Sequence, residues 1–359
     1  MSLRLAINGY GRIGRCVFRA LHESPLKEDL DIVVINEPSD LESIAYLTRF
    51  DSTHGRFPAP VEARDNALLV AGRRIPVFHG RTPGEVPWAD FGVDIVLDCS
   101  GQYSRRSELE KFIEAGCPRV MLSHPGHGAE DVDRTVVYGV NHQGLIGSER
   151  LISAASCTTN AIVPVLTVLE QAFGVENVLM TTLHSVMNDQ PLIDGYHHSD
   201  LRRTRSAMQS MIPVSTGLAK GVERLMPQLA GRVQAKAVRL PVLNVSAIDL
   251  VVTLGRDVSA QEINTRLAAA ATDSLPGLLD YSDEPHASID FNHNPHSAIV
   301  DGSQTRVSGK RLAGLLVWFD NEWGFANRML ELAAYWQQCW QGNKATTTPE
   351  LSARPSDNG

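Results

Sequence analysis

The sequence predicts an α/β protein of two unlike halves, a doubly wound parallel sheet followed by an α+β unit whose sheet is mostly antiparallel. Three observations carry this reading. A glycine-rich turn at residues 8–15 lies between a strand pattern and a helix pattern. Strands and helices then alternate as far as residue 123, which implies βαβ units. Beyond residue 174 longer strand-like runs follow one another with only one obvious helix among the later ones, near Ala260 to Ala271.

Taken in order, Leu5-Ala6-Ile7 reads as a short buried strand that runs into Asn8-Gly9-Tyr10-Gly11-Arg12-Ile13-Gly14-Arg15 and a helix through Leu21. Gly9, Gly11 and Gly14 permit the tight turn, close backbone approach to a pyrophosphate and close helix–strand packing, and the helix N-terminus attracts phosphate. This strand–turn–helix is the signature of a Rossmann unit. The second strand, Asp31-Ile32-Val33-Val34-Ile35, ends at Asn36-Glu37. A carboxylate there can accept hydrogen bonds from ribose hydroxyls and repel a 2′-phosphate, so Glu37 favours NAD over NADP. A solvated residue at a strand end is the alternative. Val93 to Asp98, a helix near Arg105 to Ala115, and Arg119 to Ser123 continue the alternation. They leave Ser100, Gly101 and Ser123 at strand C-terminal ends, where open α/β sheets bind ligands.

Cys157 lies in Ser156-Cys157-Thr158-Thr159-Asn160, just ahead of a helix marked by Ile162, Leu166, Leu169 and Phe173, with Gly174 as its stop. Amides at a helix N-terminus favour a thiolate, which makes Cys157 a candidate nucleophile. A small buried apolar cysteine is the competing reading. The strand-like runs that follow are residues 178–184, 235–240, 246–254 and 315–319. The change of pattern places a domain boundary just before Cys157, giving 1–156 as the nucleotide-binding domain and 157–321 as the catalytic domain. A helix at about 322–340 is expected to pack back on the first domain. The Thr-, Ser- and Pro-rich stretch 342–359 is expected to be disordered.

Composition narrows the function. A formal net charge of −8 argues against a general nucleic-acid binder. No apolar run approaches membrane-spanning length, so no membrane partner is expected. Five scattered cysteines without C-x-x-C spacing indicate neither a disulfide framework nor a zinc site, and no metal is expected; His197-His198 and His293/His296 lack a third ligand at suggestive spacing. A chain running straight into a strand without a signal peptide fits a soluble protein in a reducing cytoplasm.

Six motifs in order, Asn8 to Arg15, Ser156 to Asn160, His184, Asp200-Leu201-Arg202-Arg203, Ile212 to Gly217 and Asp320-Asn321-Glu322-Trp323-Gly324, closely resemble the glyceraldehyde-3-phosphate dehydrogenase family. The resemblance covers residues 3 to about 335. Within the family the chain is most similar to the D-erythrose-4-phosphate dehydrogenase branch. It has Asn36-Glu37 where glycolytic members usually have Asn-Asp, Met187 where they usually have threonine, and Phe291-Asn292-His293-Asn294-Pro295-His296-Ser297 late in the catalytic domain.

The resemblance implies roles. Cys157 attacks an aldehyde; His184 stabilises the thiolate as an ion pair and then serves as acid or base. Gly9, Gly11, Arg12, Ile13, Gly14, Glu37, Ser100, Gly101, Ser123 and Asn321 serve NAD, with Asn321 orienting the nicotinamide carboxamide. Ser156, Thr158, Arg203, Thr216, Gly217 and Arg239 serve the sugar phosphate, arginine suiting phosphate through its planar fork. Hydride transfer leaves a thioester that water hydrolyses, giving 4-phosphoerythronate from D-erythrose 4-phosphate in pyridoxal 5′-phosphate biosynthesis. Met187 offers no hydroxyl donor, which weakens an attacking phosphate. The alternatives are a phosphorylating glycolytic enzyme and a non-catalytic NAD-sensing protein. A homotetramer is implied, with the segment from Pro191 to Ala207 reaching toward the neighbouring subunit.

Overall fold

A computed structural model describes residues 2–342; the expected disordered tail lies outside the described residues from position 343 onward. Among the described residues there are seven α-helices: α1 (Arg12–Glu23), α2 (Leu41–Arg49), α3 (Arg106–Glu114), α4 (Cys157–Phe173), α5 (Leu218–Leu225), α6 (Ala260–Asp273) and α7 (Trp323–Trp340). Two large sheets organise them.

The first sheet has nine strands in the order Arg134–Thr135, Leu151–Ser153, Val120–Leu122, Ile95–Asp98, Leu3–Asn8, Leu30–Asn36, Arg73–Phe78, Ala67–Val70, Val61–Arg64. The first seven are paired in parallel. Leu3–Asn8 sits at the centre; apart from the exposed Arg4 it is buried, and its stretch Leu5-Ala6-Ile7 is covered on both faces, which is why that stretch reads as a continuous apolar run rather than an alternating one. The last two strands form an antiparallel extension that the βαβ reading does not foresee. Their turns are short: Asp65 and Asn66 both take positive φ, as do Ala71 and Gly72, matching two-residue hairpin connections.

The second sheet has seven strands in the order Ile212–Val214, Val233–Arg239, Val175–His184, Ser246–Leu254, Leu312–Phe319, Ala298–Ser308, Leu279–Ser282. Four of its six pairings are antiparallel; Val175–His184 with Val233–Arg239 and Leu279–Ser282 with Ala298–Ser308 are parallel. Helix α4 lies against this sheet and is buried nearly all round, so it shows no clean amphipathic stripe. Gly174 ends it at φ +70°, as its sequence position predicts. Helix α5 is an addition to the sequence reading: eight residues are too short to give a persuasive helical period.

Helix α7 does not stay with the second sheet. Phe325, Met329, Leu330, Ala333 and Trp336 join Leu3, Leu5, Ile7 and Val17 in the core of the first half. The chain therefore crosses back, and residues 320–322, just before α7, are carried to the junction between the two sheets.

Candidate active site

The glycine turn is built by contacts that exclude side chains. Gly9 has φ +85°, and a Cβ there would lie 2.5 Å from the Ser100 backbone. A Cβ on Gly14 would lie 2.2 Å from the Gly9 carbonyl, so α1 can approach the turn only with glycine at this position. Gly11, by contrast, faces open space. The turn opens on a cleft of about 550 Å³ walled by Gly9, Gly11, Glu37, Ser100 and Tyr103 among others. Glu37 reaches over it: its Oε2 accepts the Tyr10 amide at 2.7 Å. Cradle and carboxylate suit a dinucleotide with a free ribose diol.

Not every residue expected there stands on the cleft wall. Ile13, Gly14, Gly101 and Ser123 do not line it. Ile13 packs against the core of the first half, and Ser123 gives its amide to the Asp98 carbonyl at 3.0 Å. The Arg12 guanidinium is turned away, paired with Asp51 and Glu322, so only its backbone amide at the start of α1 remains for phosphate.

Cys157 is the first residue of α4, and Ser156 caps the helix by accepting the Thr159 amide at 3.1 Å. The cap leaves the Cys157 amide free to face a developing oxyanion. His184, the last residue of its strand, brings Nε2 to 3.9 Å from the Cys157 sulfur, and the Thr158 hydroxyl lies 3.8 Å from it. His184 Nδ1 donates to the Ser185 carbonyl at 2.8 Å, which directs the Nε2 lone pair at the thiol. Burial pushes the Cys157 thiol up, against the opposing Thr158 hydrogen bond. Burial likewise pushes His184 down, assisted by the Arg239 cation. Both shifts oppose the charged form of the partner they act on.

Arg239 is the register partner of His184 on the adjacent parallel strand. Its guanidinium grips Asp189 with two hydrogen bonds, and Arg203 donates to the same carboxylate at 2.9 Å. Burial raises Asp189, but the Arg239 hydrogen bond and charge outweigh this and hold it below the usual carboxylate range. Asp189 is a site residue that sequence reasoning passes over. Thr216 accepts the Leu218 amide at 3.2 Å and, with Gly217, forms the entry to α5. Asn321 is buried and accepts hydroxyl hydrogens from Ser185 at 3.0 Å and Ser246 at 2.8 Å, which fixes its carbonyl and leaves its amide nitrogen as the free end.

Residues 3–106 match the family model described as glyceraldehyde 3-phosphate dehydrogenase, NAD binding domain, and residues 156–321 match glyceraldehyde 3-phosphate dehydrogenase, C-terminal domain. The chain belongs to the glyceraldehyde-3-phosphate dehydrogenase family. It is therefore an NAD-dependent oxidoreductase, and NAD is its cofactor. The second match begins at Ser156, beside Cys157, and ends at Asn321, just before α7 returns to the first sheet. Among the described residues no helix is long and apolar enough to cross a membrane.

Proposed function

We propose that this family member oxidises D-erythrose 4-phosphate to 4-phosphoerythronate, serving pyridoxal 5′-phosphate biosynthesis in the cytoplasm. The observation that carries the covalent route is the 3.9 Å approach of His184 Nε2 to the Cys157 sulfur with the ring tautomer held by Ser185. His184 takes the thiol proton as the sulfur adds to the aldehyde carbon, giving a hemithioacetal. The Cys157 amide and the imidazolium then hold the oxyanion. Bound NAD would supply the hydride acceptor; as the oxyanion on Cys157 collapses, hydride leaves the hemithioacetal carbon and a thioester remains on Cys157. His184 releases the proton it took to solvent and, neutral again, removes a proton from water as it attacks the thioester. The tetrahedral adduct expels the Cys157 sulfur, which takes that proton back from His184, and the acid product ionises to the carboxylate. Glu37 holds the adenosine ribose and Asn321 the nicotinamide carboxamide in this scheme; Arg203, Thr216 and Arg239 hold phosphate.

Water rather than phosphate as the final nucleophile is supported by Met187, a half-exposed thioether two residues before Asp189 with no hydrogen to donate to an attacking anion. One observation favours the phosphorylating alternative: two guanidiniums converging on one carboxylate could equally seat inorganic phosphate. A homotetramer is supported by Leu192, Ile193, Tyr196 and Leu201, four large apolar side chains that the segment 191–207 exposes together.

NADH formation with D-erythrose 4-phosphate and with glyceraldehyde 3-phosphate, each with and without inorganic phosphate, tests the proposal. Higher kcat/KM on the four-carbon sugar without phosphate is expected. Preference for the triose with an absolute phosphate requirement would overturn it.

A further inference from the structure

Between the two sheets lies a row of side chains that the proposed chemistry does not use. His54 is buried on the first half; its Nε2 lies 3.0 Å from Glu322 Oε2 and its Nδ1 lies 3.2 Å from Nδ1 of His293, which comes from the second half. His293 Nε2 in turn lies 2.9 Å from Oε2 of Glu23, at the end of α1. The row runs from the partly exposed Glu23 to the buried Glu322, the neighbour of Asn321.

Counting hydrogens along this row gives its charge. Ionised carboxylates only accept, so His54 Nε2 and His293 Nε2 must each carry a hydrogen, and the Nδ1–Nδ1 contact requires one more. Three hydrogens on two imidazoles amount to one cation shared by the pair. The surroundings fit this charge. Glu23 and Glu322 close the two ends, Asp51 accepts the His54 amide at 3.0 Å, and Asp320 accepts the His293 amide at 2.7 Å. Arg12 pairs with Asp51 and Glu322, Arg19 donates to the His54 carbonyl, and the Cys16 thiol touches Glu322. Because Glu322 is already taken by Arg12 and His54, the Cys16–His54–Glu322 cluster does not offer a cation an open carboxylate.

The pair also fixes the turn that bears Asn321. His293 is held at φ +67°, unusual for a non-glycine residue, and stacks on Trp323 with ring centroids 3.5 Å apart. Asp320 accepts the amides of His293, Glu322 and Trp323. Residues 320, 322 and 323 are thus all tied to the histidine pair, and Asn321 sits between them.

We propose that His293, acting through His54 and Glu322, is a positioning residue for the Asn321 carboxamide, and that the imidazole pair performs this as one shared cation. The proposal rests on the reading of Asn321 as the nicotinamide contact. Affinity for NAD then falls when the pair is broken. ADP-ribose, which lacks the nicotinamide, is insensitive.

Calorimetric titration of the full chain with NAD and with ADP-ribose tests this. His293→Asn should weaken NAD by about five-fold and leave ADP-ribose unchanged. Wild-type NAD affinity in His293→Asn, or equal losses for NAD and ADP-ribose, would overturn the proposal. Asn321→Ala separates the two layers. If it too leaves NAD binding intact, the reading of Asn321 fails and the proposal with it; if it alone weakens NAD, only the histidine proposal fails. Should His293→Asn not fold, Glu23→Gln carries the test by removing the outer carboxylate. NAD affinity must then fall while ADP-ribose stays level, and unchanged NAD affinity overturns the proposal.

Discussion

His184 presents Nε2 to the Cys157 sulfur across 3.9 Å because its Nδ1 is committed to the Ser185 carbonyl. The helix terminus beneath Cys157 favours thiolate, whereas burial opposes charge on both partners, raising the thiol and lowering the imidazole. Alkylation of Cys157 by iodoacetamide, measured without NAD, should therefore climb along a single limb lying above the ordinary thiol range. A reactive plateau between about pH 5 and pH 7 would instead mean a thiolate–imidazolium pair and refute this assignment.

With the base so placed, His184→Asn should lower kcat by about 10²- to 10⁴-fold, and Cys157→Ser should remove measurable aldehyde oxidation. Steady-state NADH formation checks both. Undiminished aldehyde oxidation in Cys157→Ser would refute Cys157 as the nucleophile, and wild-type protein that binds NAD yet oxidises neither aldehyde would leave the NAD-sensing reading.

The extent to which these features are legible in the chain depends on how local their causes are. Gly9 and Gly14 are readable because a backbone contact within a few residues demands glycine, and Cys157 because cap, thiol and helix are contiguous. The hairpin strands at 61–78 were hidden by Asp65-Asn66 and Ala71-Gly72, turns less distinctive than Asn-Gly. Asp189 and the His54–His293 pair could not be read at all: their partners lie 50 and 239 residues away in sequence, and only the folded sheets bring them together. Arg12 shows the converse. Its place in the glycine turn suggests a phosphate contact, but Glu322, 310 residues on, claims its side chain.

That ion triad should matter for stability. Burial pushes Asp51 and Glu322 up, yet hydrogen bonds from Arg12 outweigh it and hold both carboxylates low. Depressed carboxylates contribute stability above their unfolded values, near pH 4, and lose it as pH falls through the folded ones. Arg12→Gln strands two carboxylates, of which Asp51 is almost fully buried. We expect a loss of about 2–3 kcal/mol at neutral pH, less than for a fully buried pair because Arg12 is partly in water. In denaturant melts the gap from wild type should shrink below about pH 4; a gap independent of pH would contradict the ion-pair account.

Asp189 keeps Arg203 and Arg239 compensated while the site is free of anions. Asp189→Asn removes that internal anion and leaves two guanidiniums aimed at one point. Inorganic phosphate should bind about ten-fold more tightly, a change of about 1.4 kcal/mol. Competition by phosphate against the sugar phosphate reads this directly, and an unchanged inhibition constant would mean that the carboxylate does not face the anion site.

Met187→Thr tests the choice between water and phosphate. The half-exposed thioether stands in the segment that leads from His184 to Asp189, where a hydroxyl could donate to an anion held by Arg203 and Arg239. A hydrogen bond to a charged group contributes about 1.5–3 kcal/mol, so the substitution should improve phosphate affinity by about ten-fold or more. NADH formation by the variant should then rise with added phosphate, and an acyl phosphate should appear beside the acid product. If rate and product stay independent of phosphate, the discrimination does not reside in Met187, which is then only a surface feature of the loop.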